Sequence, residues 1–70
     1  MGLKMILPNW ALNMKGARLK KKMSVQALAD LSGVSHGTIE RMEAGEPPNL
    51  KSVSAIAEAL GMKLSQFFKD

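Results

Sequence analysis

The stretch from Ser24 to Met42 reads SVQALADLSGVSHGTIERM, and its punctuation forbids one long helix. Ser24 is a good N-cap, because its hydroxyl can accept a hydrogen bond from an otherwise free amide in the first turn of a helix. The segment that follows, VQALADLS, places Val25, Leu28 and Ala29 on a common face. Gly33 then ends it, since a residue without Cβ adopts the left-handed conformation that closes a helix, and Val34 supplies an apolar plug as the chain turns. Ser35 caps a second short helix almost at once, with Ile39 and Met42 as its buried face. Two short helices joined this tightly have to cross, and small Ala29 at the crossing lets them approach.

The same reasoning extends to the rest of the chain. Asn9 is predicted to cap a first helix from Trp10 to Lys21, whose stripe of Trp10, Met14 and Ala17 faces inward. After the loop AGEPPN, Asn49 is predicted to cap a helix LKSVSAIAEAL in which Leu50, Val53, Ile56, Ala57 and Leu60 repeat at spacings of three and four. Gly61 stops it. A short last helix from about Leu64 turns Phe67 or Phe68 back onto the core, and the only extended candidate is LKMIL near the N-terminus. Such a chain of 70 residues has room for one core of packed helices. The expected division is an arm over residues 1–9 and a helical domain over residues 10–70.

Composition narrows the function. There is no cysteine and one histidine, His36, so a disulfide framework and a thiolate metal site are excluded. No paired carboxylates, nucleophile–base set or phosphate-cradling glycine loop is present, which argues against an enzyme and leaves no catalytic residue, metal or cofactor to expect. No apolar run approaches the roughly 18 residues of a membrane span, and Met1 to Pro8 is too short for a secretory leader, so no membrane partner and a cytoplasmic location are expected. Net charge is +4, unevenly spread. Lys4, Lys15, Arg18, Lys20, Lys21 and Lys22 precede residue 23 without a single acid, whereas acids outnumber bases beyond it. A basic end of this kind points to a polyanion, nucleic acid above all, with a solvated lysine-rich helix end as the competing reading. Gly37 adds a question, because glycine inside a helix costs about 1 kcal/mol relative to alanine. A close contact with another molecule would account for it.

Two crossing helices with small or apolar residues at Leu28, Ala29, Gly33, Val34, Ile39 and Met42 make a helix-turn-helix unit. On these residues the chain resembles the Cro/repressor (Cro/C1-type) family of bacterial and phage regulators, over NMKGARLKKKMSVQALADLSGVSHGTIERMEAG and on through NLKSVSAIAEALGMKLSQFF. The resemblance implies an all-α, five-helix lambda-repressor-like bundle, with Val25 to Ser32 as the positioning helix and Ser35 to Ala44 as the recognition helix. It also implies a structural pair between Arg18 in the first helix and Glu43 at the end of the recognition helix, beside structural Ala29 and Gly33.

By the same resemblance, the recognition helix enters the major groove with its first turn leading, which makes Ser35, His36, Gly37, Thr38 and Arg41 the base-reading set. Arg41 is the candidate for a bidentate guanine contact, His36 is expected to donate to a base or phosphate, and Gly37 to permit close approach. Against this stand a merely solvated His36, an incidental Gly37, and an Arg41 paired with Glu40 or Glu43. Ser24, Val25 and Gln26 at the start of the positioning helix, with Lys21, Lys22 and Lys51, are the expected phosphate contacts. Three positions depart from the family pattern: Val25 stands where Gln is usual, Lys22 where a helix-ending Gly is usual, and the loop after the recognition helix is short and acidic. Such departures imply moderate, salt-sensitive DNA affinity.

The implied function is sequence-specific binding of a double-stranded DNA operator by a small repressor-like transcriptional regulator. Because one small module buries little DNA surface, a homodimer is expected. The contact would come from the N-terminal residues Leu3, Met5, Ile6, Leu7 and Trp10, or from the C-terminal end around Met62, Leu64 and Phe68. The alternative is an antitoxin that binds a protein toxin and represses its own operon, as some members of this family do.

Overall fold

Side-chain caps set three of the five helices in the computed structural model, which describes residues 7–70. Helix α1 spans Asn9–Lys20, α2 Val25–Ser32, α3 His36–Glu43, α4 Leu50–Ala59 and α5 Leu64–Phe67, with no strand among the described residues. Ser24 Oγ accepts from Ala27 N at 3.0 Å, Ser35 Oγ from Thr38 N at 3.2 Å and Asn49 Oδ1 from Ser52 N at 2.7 Å. Gly33 is left-handed at φ +78° and its amide bonds the Ala29 carbonyl at 2.9 Å, closing α2 as its sequence implies. The chain is therefore all-α, and α2 and α3 form the crossing pair.

Asn9 does not cap α1. It lies inside the helix and donates to Asp70 Oδ1 at 2.8 Å, while extended Pro8 takes the N-cap position and its carbonyl accepts from Ala11 and Leu12. Proline already has the φ of a helix entry, so the helix starts one residue earlier than expected. The inward stripe of α1 also shifts: Ala11, Met14 and Arg18 are buried, whereas Trp10 and Ala17 are half-buried at its edge. Leu50 is a second correction. As the first residue of α4 it is 68% exposed, and the face below it is carried by Val53, Ile56, Ala57 and Leu60. LKMIL lies outside the described residues except Leu7, which packs with Pro8 against the Cα side of left-handed Gly45.

One core joins all five helices. Met14, Leu28, Ala29, Ile39, Met42, Val53, Ile56, Ala57, Leu60 and Phe67 form it, and α2 packs on both α3 and α4 while α1 packs on α3 and α5. Phe67, not Phe68, is the buried aromatic, and Trp10 stacks on it with ring centroids 6.4 Å apart. Asn13 fastens the same end, donating to the carbonyls of Phe67 at 3.0 Å and Lys69 at 2.6 Å. Helix α3 is held in this core through Ile39 and Met42, with its opposite face outside it.

Candidate nucleic-acid interface

Helix α3 has two faces of opposite character because Ile39 and Met42 are pinned in the core. The cap Ser35 and the helix positions His36, Gly37, Thr38 and Arg41, with Glu40 among them, are exposed or half-buried. Three of them are hydrogen-bonded in a row. Ser35 Oγ lies 2.7 Å from Thr38 Oγ1, and Thr38 Oγ1 accepts from Arg41 Nη2 at 3.2 Å. Arg41 thus folds back toward the start of its helix, where the guanidinium crosses the space above Gly37. A Cβ added at Gly37 would stand 3.4 Å from Arg41 Nη1.

Arg41 is bonded to the Thr38 hydroxyl, whereas Glu43 is engaged by Arg18 and Glu40 lies beside His36. Arg41 keeps donors for an outside acceptor, and the planar fork of a guanidinium matches the O6 and N7 of guanine. The exposed His36 ring meets Gln26 Oε1 through Nδ1 at 3.0 Å across the α2–α3 crossing. Sequence reasoning missed this link and the bond from Gln26 Nε2 to Asp30 Oδ1 at 2.9 Å. The four-residue spacing of Gln26 and Asp30 was a readable signal for the second.

The expected phosphate residues surround this face unevenly. The amides of Val25 and Gln26 lie in the first turn of α2, where no helix partner exists for them, and Ser24 engages Ala27 instead. Lys21 and Lys22 are exposed in the turn that leads into Ser24, and Lys22 is left-handed at φ +58°. Lys51, at the start of α4, lines one shallow hollow with Ser35 and Thr38. No hydrogen bond or ion pair joins Lys21 or Lys22 to α3 among the described residues.

Arg18 and Glu43 form the pair that the family resemblance implies. Arg18 Nε and Nη2 donate to the two oxygens of Glu43 at 2.7 and 3.0 Å, and Nη1 donates to the Met23 carbonyl at 2.8 Å. The pair is buried, so it ties the end of α1 and the α1–α2 turn to the end of α3. Hydrogen bonding to Glu43 raises the Arg18 pKa against a smaller opposing effect of burial, with the carboxylate charge adding to the rise.

With five helices, a capped crossing pair and a polar outer face on the second of that pair, the chain meets a known pattern. A family model described as helix-turn-helix matches residues 14–67, from the middle of α1 to the end of α5. No curated protein matches the chain.

Proposed function

The chain belongs to the helix-turn-helix family of Cro/repressor type, a DNA-binding regulatory family rather than an enzyme family, and from that premise we propose that it is a repressor-like regulator whose helix α3 reads an operator in the major groove. The observation that carries the proposal is the row Ser35–Thr38–Arg41 on the outer face of α3, opposite buried Ile39 and Met42. Arg41 donates bidentately to a guanine, Gly37 leaves room beneath it, and Ser35 and Thr38 meet a phosphate or a thymine methyl. The free amides of Val25 and Gln26, the Ser24 cap and the charges of Lys21, Lys22 and Lys51 fix the register on the backbone.

Operator binding in this reading is by a homodimer. Leu64 and Phe68 support the C-terminal end as its contact, being 43% and 48% exposed beside the core. Leu7 and Trp10, the described members of the N-terminal candidate, pack against their own domain, and Leu3, Met5 and Ile6 lie outside the described residues. No helix of the described residues is long and apolar enough to cross a membrane, which agrees with a cytoplasmic regulator.

Selection of bound sequences from random duplex DNA at two salt concentrations tests the reading. A palindromic motif, with affinity falling steeply as salt rises, is the expected result. Binding without any motif would place the function in a protein partner, as in an antitoxin, and copurification of a toxin with the chain would identify it.

A further inference from the structure

Helices α2 and α3 are linked by a polar chain on their exposed side. Gln26 Nε2 donates to Asp30 Oδ1 at 2.9 Å, and Gln26 Oε1 lies 3.0 Å from His36 Nδ1. A carboxylate only accepts, so it is the amino half of the Gln26 amide that turns to Asp30. The carbonyl half is then left facing the imidazole, and it too only accepts. The proton in the contact must therefore sit on Nδ1 of His36.

Glu40 is the charged group at this ring, with Oε2 3.3 Å from Nε2, and its carboxylate is the competing acceptor for the proton. The distance is longer, the Glu40 side chain is 61% exposed, and Gln26 is held by its second bond to Asp30 whereas Glu40 has no second partner among the described residues. Exposed pairs four residues apart on one helix contribute little.

We propose that Asp30 is a positioning residue that sets, through Gln26, the tautomer of His36, with Nδ1 protonated and the Nε2 lone pair left free. The inference rests on α3 being the reading helix, and it deepens that reading by assigning His36 a chemistry. Where the sequence leads one to expect a donor, the neutral ring offers an acceptor. Nε2 and the neighbouring Glu40 carboxylate make two acceptors side by side, and they suit the one hydrogen of an exocyclic amino group that the base pair leaves free in the major groove. Cytosine N4 and adenine N6 carry such groups in the major groove, so a C or A is the base this position selects. Asp30 itself touches no base.

His36 is the only histidine, which makes the test direct. Long-range proton–nitrogen NMR spectra of the uniformly labelled chain, recorded in alkaline buffer, report which nitrogen carries the hydrogen. The expected result is Nδ1–H in the wild type and a shift toward Nε2–H, the form a solvated imidazole favours, in Asp30→Ala. Asp30 is exposed and alanine favours a helix, so the variant keeps its fold. Glu40→Gln should leave the proton on Nδ1. Nε2–H in the wild type, or a tautomer that Asp30→Ala does not move, overturns the proposal. In the DNA selection, Asp30→Ala should reduce discrimination at one base pair by about 2- to 10-fold, the worth of a single hydrogen bond, with the salt dependence unchanged. Failure to select any DNA motif would count against α3 as a reading helix, while the spectra of the free chain still decide the tautomer.

Discussion

Replacing Glu43 by Gln should destabilise the fold far more than a change of one atom would suggest. Glu43 accepts two charge-assisted hydrogen bonds from Arg18, at 2.7 and 3.0 Å, in a site where both side chains are about nine-tenths buried. Gln keeps an oxygen for one of them and turns an amino group toward the other donor. One charged hydrogen bond is lost, worth about 1.5–3 kcal/mol, and the guanidinium is left buried without a counter-charge. Breaking a buried pair by removing one partner costs about 3–5 kcal/mol, and the retained oxygen and the Met23 carbonyl put this variant near the lower end, about 3 kcal/mol. A domain of this size is stable by roughly 4–10 kcal/mol, so the loss corresponds to a fall in Tm of about 12–24 °C. Thermal and urea melts followed by circular dichroism measure it. The raised pKa of Arg18 means that the pair's contribution is complete below the unfolded value and fades only as pH climbs through the still higher folded one. The destabilisation should accordingly be the same at neutral and mildly alkaline pH. The double variant Arg18→Met with Glu43→Leu should recover most of the loss, because it leaves no charge unpaired. A drop of under about 4 °C for Glu43→Gln would mean that the buried pair carries little of the fold's stability.

Other substitutions separate stability from recognition. Gly37→Ala should raise stability by about 0.5–1 kcal/mol, since Gly37 is helical and the nearest atom to a new Cβ is the flexible Arg41 tip at 3.4 Å, yet it should weaken operator binding in a titration. Lys22→Gly should raise Tm by several degrees, because a left-handed residue with a side chain costs about 1–2 kcal/mol and the greater freedom of an unfolded glycine offsets only part of that. Ser24→Ala should cost about 1 kcal/mol in a urea melt through loss of the α2 cap bond.

What the sequence could reveal was whatever depended on near neighbours. Ser24, Ser35, Asn49 and Gly33 act on atoms within four residues, so their roles follow from local geometry, and the helix order follows from them. Errors arose where distant groups compete for the same residue. Asn9 has the chemistry of a cap, but Pro8 supplies the turn and Asp70 takes the side chain from the far end of the chain. Leu50 has the spacing of a core residue, but at the first position of α4 it has no neighbour to cover it. Arg18 and Glu43 are 25 residues apart and were legible only through resemblance to a family that commonly pairs them. At the interface, the outer face of α3 could be read from the burial of Ile39 and Met42. The link from Gln26 to His36 could not, since it exists only once α2 and α3 have crossed.

Sequence selection with the wild type and Arg41→Ala side by side tests whether Arg41 reads a base from the outer face of α3. Both proteins should recover the same motif, with one guanine position in each half-site losing definition in the variant by about 1–3 kcal/mol of discrimination. A motif unchanged at every position, or an affinity reduced equally for all sequences, would contradict that reading and make Arg41 a phosphate contact instead.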